Sequence, residues 1–209
     1  MLVALSGAQG SGKTTVLNNL KTLGFNVVER KTARSILTEW HTTLDEVYRD
    51  PAYAVRFQNE ILARKIDDEA EALASDQLWF TERSYADLFT YALLNVSRYN
   101  EYNDWVNSYY DTCAQMNSKY LGMFYLEGGA FKTENDGVRG FNEHYARLVD
   151  RTVRKTLQSM VLVDATTFQP TNTHTVIPKH ISSVSDRTRY IASDAQQAWL
   201  NARLPSEYK

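Results

Sequence analysis

Residues 1–15 read MLVALSGAQGSGKTT: an apolar run, a turn carrying three glycines, then a lysine and two threonines. Leu2-Val3-Ala4-Leu5 has the length and composition of a buried strand. Beyond the turn, Val16, Leu17, Leu20 and Leu23 recur at helical spacing, and Gly24 is placed as a C-terminal stop. Between that strand and that helix stand Gly7, four residues, Gly12, Lys13 and Thr14, the spacing G-x-x-x-x-G-K-[ST]. Glycines let successive backbone N–H groups point inward around a polyphosphate and let the anion approach closely. The helix that follows directs its positive dipole end at the same anion. On this reading Gly7, Ala8, Gln9, Gly10, Ser11, Gly12, Lys13, Thr14 and Thr15 cradle a nucleoside triphosphate. Lys13 reaches the terminal phosphates as a point charge, and the Thr14 hydroxyl ligates Mg²⁺.

A chain of 209 residues, 43% hydrophobic and 23% charged, predicts one domain with a central sheet covered on both faces. The formal net charge of −2 argues against bulk binding of nucleic acid. Cys113 is the only cysteine, which excludes an internal disulfide and a cysteine-based metal cluster and fits a reducing cytoplasm. His41, His144, His174 and His180 lack metal-ligand spacing. No apolar run approaches the roughly 18 to 20 residues of a membrane span, so no bilayer insertion is expected. With the first strand starting at residue 2, no export signal is expected either.

Further along, 25–30 (FNVVER) reads as a second strand, and 32–74 as charged helices broken at Asp50-Pro51. A third strand is predicted over 76–84 (DQLWFTERS), followed by a helix from Tyr85. Residues 95–120 form a tyrosine- and asparagine-rich tract. There Tyr99, Tyr102, Trp105, Tyr109 and Tyr110 could stack nucleobases, although their spacing better suits a helix face packed on the core. A fourth strand (121–129) runs into a polar, glycine-bearing loop over 128–140. A helix from Asn142 to Leu157 carries Tyr145, Leu148, Val149 and Val153 on one face, and Arg147, Arg151 and Arg154 form a basic stripe expected to be solvated. A fifth strand (174–178) precedes a closing helix with Ser185 as its N-cap. Alternating strands and helices imply an α/β fold with a doubly wound parallel sheet.

Ligands bind at the C-terminal edge of such sheets, which singles out the carboxylates and cations at the strand ends. Glu82 is placed to hold Mg²⁺ directly or through water, and Arg83 to neutralise charge on a transferring phosphoryl group. Glu29, at the end of the second strand, is placed to accept a proton from an attacking hydroxyl. Lys132 and Arg139 give the 128–140 loop two cations able to land on phosphates, as a lid would.

GAQGSGKTT, VVERKTAR, TERSYADLFTYA and FYLEGGAFKTENDGVR, taken in order, resemble the P-loop nucleoside kinases. The likeness is strongest to the AAA-type ATP-binding family that includes ribosylnicotinamide kinase. The resemblance covers most of the chain and implies a five-stranded parallel sheet of order 2-3-1-4-5 with helices on both faces and a lid. It also implies that Glu29 and Arg34 face the phosphate acceptor, with Glu82, Arg83 and Asp87 near metal and acceptor, and that Arg139 is the lid arginine. Asp87 is then the second choice of base. Arg187 follows the fifth strand, where adenine commonly rests in this fold, and is a candidate to stack on the base. Two departures are Glu82, where many relatives carry aspartate, and the 95–120 tract, an acceptor-side insertion with no counterpart.

The expected activity is ATP- and Mg²⁺-dependent phosphorylation of a nucleoside, a nucleotide or a related small molecule. Two alternatives stand beside it. One is a kinase acting on a modified nucleotide within DNA, disfavoured by the near-neutral charge. The other is a nucleotide-gated regulatory ATPase without an acceptor, for which no guanine-reading N-K-x-D motif is present. The sequence leaves a homodimer open.

Overall fold

The computed structural model describes residues 1–29, 33–129, 142–160 and 174–204. The chain runs β1 (Leu2–Ser6), α1 (Lys13–Thr22), β2 (Asn26–Val27), α2 (Ala33–Glu39), α3 (Leu44–Arg49), α4 (Pro51–Ala74) and β3 (Trp79–Glu82). It continues with α5 (Tyr85–Val96), a 3₁₀ turn (Asn100–Tyr102), α6 (Asn103–Asn117), β4 (Gly122–Leu126), α7 (Glu143–Ser159), β5 (His174–Ile177) and α8 (Val184–Arg203). The five strands form one sheet in the order β2-β3-β1-β4-β5, with every pairing parallel, as expected.

β1 lies at the centre and is buried along its whole length, because it is covered on both faces. Its side chains alternate: Leu2 and Ala4 enter one core, Val3 and Leu5 the other. The first core is built with α4, α5, α6 and α7, the second with α1 and α8. β4 repeats the pattern, Met123 and Tyr125 facing one layer and Phe124 and Leu126 the other. A third cluster joins α2 and α3 to α4 through Ile36, Leu37, Val47 and Phe57.

Register sets the height of the site. β1 and β3 pair Leu5 with Glu82, and β1 and β4 pair Ser6 with Tyr125. The last residues of β1 and β3 therefore end side by side, at the edge where β1 hands over to the glycine turn.

Several boundaries are set by chemistry visible in the sequence. Gly24 has φ 88°, and Gly24 N–H and Phe25 N–H donate to Lys21 O and Leu20 O, closing α1 in a left-handed turn. Asp50 caps α4 by accepting from Ala52 and Tyr53, with Pro51 at the first helical position. Other expectations need correction. Ser183, not Ser185, caps α8, accepting from Asp186 N–H. On α7, Val149 and Val153 are buried, but Tyr145 and Leu148 are exposed. In the 95–120 tract the structure agrees with the helix-face packing that the spacing suits, while Arg98, Glu101 and Asp104 are exposed. Tyr109 is buried and donates to Gln58 O, Tyr110 donates to Ser159 O, and Trp105 donates to Asn59.

Two substitutions separate packing from backbone conformation. Phe80 is fully buried between α1 and the sheet, so Phe80→Ala should cost about 3–5 kcal/mol in denaturant unfolding. A Cβ at Gly24 would meet nothing within 4 Å, so Gly24→Ala should cost only the left-handed strain, about 1–2 kcal/mol. Equal losses at the two positions would contradict this division.

Candidate active site

The glycine turn is held open by one close approach. Gly7 has φ 137°, and a Cβ there would lie 2.5 Å from the Leu126 carbonyl oxygen. Both the torsion and the contact require glycine. Gly10 (φ 75°) and Gly12 (φ 90°) complete the turn, and Gly12 stands immediately before α1. α1 has no capping side-chain hydrogen bond and no acidic residue in its first turn. The neighbouring helix α5 differs: Ser84 and Asp87 form a capping box at its start. Of these two helix starts, the one behind the glycines has no side chain capping it, which suits it to an anion.

Lys13 is buried and curls back over the turn. Its ammonium donates to Gly7 O and Ala8 O at 2.7 Å each and to Ser11 Oγ at 3.1 Å. Burial lowers its pKa, the Arg83 guanidinium lowers it further, and Glu82 and Asp87 oppose the shift. Two cations therefore press on one another beside the open helix end, an arrangement that an inserted polyphosphate relieves.

Arg83 follows β3 and has φ 66°, the left-handed region that non-glycine residues rarely adopt. Its N–H still pairs with β1, donating to Leu5 O at 2.7 Å, and Ser84 then begins α5. The chain thus turns from strand to helix across two residues, Arg83 and Ser84. The guanidinium lies 5.1 Å from the centre of the Tyr91 ring. Burial opposes its charge, but Tyr91, Glu82 and Asp87 outweigh that and raise its pKa.

Thr14 and Glu82, each read from the sequence as a Mg²⁺ ligand, lie together: the Thr14 hydroxyl donates to Glu82 Oε2 at 3.0 Å. One hydroxyl and one carboxylate are hard oxygen donors suited to Mg²⁺, which usually takes few protein ligands and completes its shell with water and phosphate. Among the described residues no group of three or more His, Cys, Asp or Glu could hold a metal. The residues present fit a metal shared with phosphate rather than a protein cage.

Two sequence-based assignments, Asp87 and Arg187, are revised by position. Asp87 is fully buried and accepts from Ser6 Oγ (2.5 Å), Gly7 N–H (3.0 Å), Ser84 N–H (2.8 Å) and Ser84 Oγ (2.8 Å). With four donors on its two oxygens it faces the protein rather than an acceptor, and it ties the start of the glycine turn to α5. Arg187 is also fully buried, donating to Ser11 O (2.7 Å), Ile181 O (2.5 Å) and Pro178 O (3.3 Å). It braces the glycine turn from behind and has no face to offer a base. Glu29 is exposed and ion-paired with Lys21, eight residues along α1 from Lys13 and so about 12 Å down the helix axis. Arg34 lies exposed in the first turn of α2. Lys132, Arg139 and most of the 128–140 loop fall outside the described residues.

The Arg147, Arg151 and Arg154 stripe is solvated as expected, Arg147 pairing with Glu143 and Arg154 with Glu127. Burial pushes the Cys113 thiol well above its ordinary pKa, which fits a bystander rather than a nucleophile.

A family model described as an AAA domain matches residues 2–168. No curated protein matches the chain. Among solved structures, deoxyadenosine kinase from M. mycoides with bound dCTP is similar at 16% identity and a TM-score of 0.63, covering 94% of this chain and 100% of that one. A complex of the NadR protein with NAD and AMP-PNP is similar at 14% identity and a TM-score of 0.60, covering 98% of this chain and 50% of that one. At these identities the likeness establishes a nucleoside kinase-like P-loop fold. Among the described residues no helix is long and apolar enough to cross a membrane.

The Asp87 assignment separates from a solvent-facing one by stability. Asp87→Asn puts an amide among four donors and should cost about 3 kcal/mol in urea unfolding, against about 1 kcal/mol for Ser84→Ala. An Asp87→Asn protein as stable as the wild type would show that the carboxylate is not the tie described.

Proposed function

Because the chain belongs to the AAA domain family, we propose that it moves the γ-phosphoryl group of ATP to a hydroxyl of a nucleoside, a nucleotide or a related small molecule. The observation that carries this reading is the uncapped start of α1 behind three left-handed glycines, with Lys13 and Arg83 converging on it. The terminal phosphates of ATP lie along that helix end. Lys13 exchanges the loop carbonyls for phosphate oxygens, and Arg83 neutralises charge gathering on the phosphoryl group. Thr14 and Glu82 hold Mg²⁺, which when bound offsets phosphate charge as a Lewis acid.

In the transfer, an acceptor oxygen bonds to the γ-phosphorus as the bond from that phosphorus to the β–γ bridging oxygen breaks. The acceptor proton goes to Glu29, which must first turn from Lys21. As an exposed side chain two residues beyond β2 it is able to do so. Arg34 supports the acceptor, and Arg139 closes over ATP as part of a lid over about 128–140. The lid matters because transfer to an alcohol competes with transfer to water. A reducing cytoplasmic setting agrees with the single buried thiol.

Radiolabelled γ-phosphate from ATP, offered with pooled nucleosides, monophosphates, nicotinamide riboside and oligonucleotides, should appear on a small acceptor. Label on inorganic phosphate alone would contradict the proposal and favour a regulatory ATPase. Lys13→Met should lower turnover at least about 100-fold while leaving a cooperative unfolding transition. A variant with normal turnover would refute the role of Lys13.

The Lys21 ammonium holds the Glu29 carboxyl below its ordinary pKa, chiefly by their hydrogen bond. Lys21→Met lets that pKa rise, so Glu29 stays protonated to higher pH. The acid limb of the kcat/KM profile should therefore move upward. An unmoved limb would remove Glu29 as the base.

A further inference from the structure

Beneath Arg83 lies a fully buried ion pair that the assignments above leave unused. Lys65 and Glu69 stand four apart on α4, both side chains wholly buried, with the ammonium on Glu69 Oε1. Glu69 also accepts from Thr81 Oγ1 at 2.7 Å and from the Tyr120 hydroxyl, at 3.2 Å to Oε1 and 3.0 Å to Oε2. The ammonium lies beside two stacked rings, 5.0 Å from the centre of Tyr85 and 5.9 Å from that of Tyr120. A further contact links the pair to the site: Lys65 Nζ donates to the Arg83 carbonyl oxygen at 2.8 Å.

A buried pair of this kind is poor at adding stability, since desolvation consumes most of the attraction and an apolar replacement is often neutral. What it can do is hold a group in one place. Arg83 holds a left-handed torsion that L residues disfavour, and its carbonyl faces the buried Lys65 ammonium, in an interior where it needs a donor. Lys65 supplies the donor. Glu69 holds Lys65, and Thr81 on β3 with Tyr120 just before β4 hold Glu69.

We propose that Lys65, fixed by Glu69, is a positioning residue that locks the backbone of Arg83 in its left-handed turn and so aims the guanidinium at the phosphoryl group. The proposal rests on the kinase reading for its kinetic consequence but not for its structural one. Losing the lock lets Arg83 relax toward ordinary torsions and carries the guanidinium off its target. A displacement on the scale of 1 Å costs on the order of 100-fold in rate.

The test is a double-mutant cycle that joins Lys65→Met/Glu69→Gln with Arg83→Met. The glutamine keeps an acceptor and donor for Thr81 and Tyr120 while both charges are removed together. In the wild-type background the paired change should lower kcat by about 10- to 100-fold with KM for ATP shifted less than about threefold. In the Arg83→Met background it should lower kcat less than about threefold. Equal losses in both backgrounds, or none in either, overturn the proposal.

If the wild type transfers phosphate to no acceptor, the kinase reading has failed, and the same cycle is read from AMP-PNP affinity. A crystal structure of the Lys65→Met/Glu69→Gln protein then decides: Arg83 leaving positive φ supports the lock, and Arg83 unmoved overturns it. Should that protein not fold, Tyr120→Phe removes only the hydroxyl from Glu69 and should lower kcat about three- to tenfold, again only where Arg83 is present. No coupling to Arg83 in that cycle refutes the proposal.

Discussion

The carboxylate of Asp87 joins the two halves of the site. One half is the end of β1 and the start of the glycine turn, where Ser6 Oγ and Gly7 N–H donate to it. The other is the junction of β3 and α5, where Ser84 donates from both its N–H and its hydroxyl. Buried hydrogen bonds to a charged group are worth more than neutral ones, and leaving such donors unmet is costly. The Asp87 side chain thus adds to the β1–β3 pairing, in which Arg83 N–H donates to Leu5 O, a second tie between the glycine turn and the Glu82-Arg83-Ser84 turn.

Around that tie lie features that suit an anion the protein does not itself supply. Arg187 pins the loop from behind through Ser11 O, and Gly7 lets the loop run against Leu126. The helix end in front has no side-chain cap, and Lys13 and Arg83 repel one another across it. Each of these features costs stability or leaves a charge poorly matched. Such costs persist where a ligand offsets them, which is the usual logic of strained and charged catalytic sites. The positive torsion at Arg83 belongs to the same set.

Much of this was legible in the sequence for identifiable reasons. The strand, glycine turn and helix at the start of the chain carry a spacing that few other tasks require, and Gly24 and Asp50-Pro51 mark helix ends by local chemistry alone. That Thr14 and Glu82 both belong at this sheet edge was also legible, though their hydrogen bond was not. Asp87 was harder. A carboxylate near a phosphate site reads as chemistry until its donors are visible, although its position three residues after Ser84 spells a capping box. Arg187 was misread because nothing local distinguishes a buried arginine satisfied by distant carbonyls from one awaiting a ligand. Lys65 and Glu69 did leave a trace. They continue the buried stripe of Ala54, Gln58, Leu62 and Ala72 at helical spacing, where charged residues are out of place unless paired.

The most direct measurement is a crystal structure of the chain with Mg²⁺ and AMP-PNP. The triphosphate should lie along the first turn of α1, with Lys13 Nζ moved from the Gly7 and Ala8 carbonyls onto phosphate oxygens and the Asp87 contacts unchanged. Lys13 still seated on those carbonyls, with the nucleotide bound elsewhere or not at all, would contradict it.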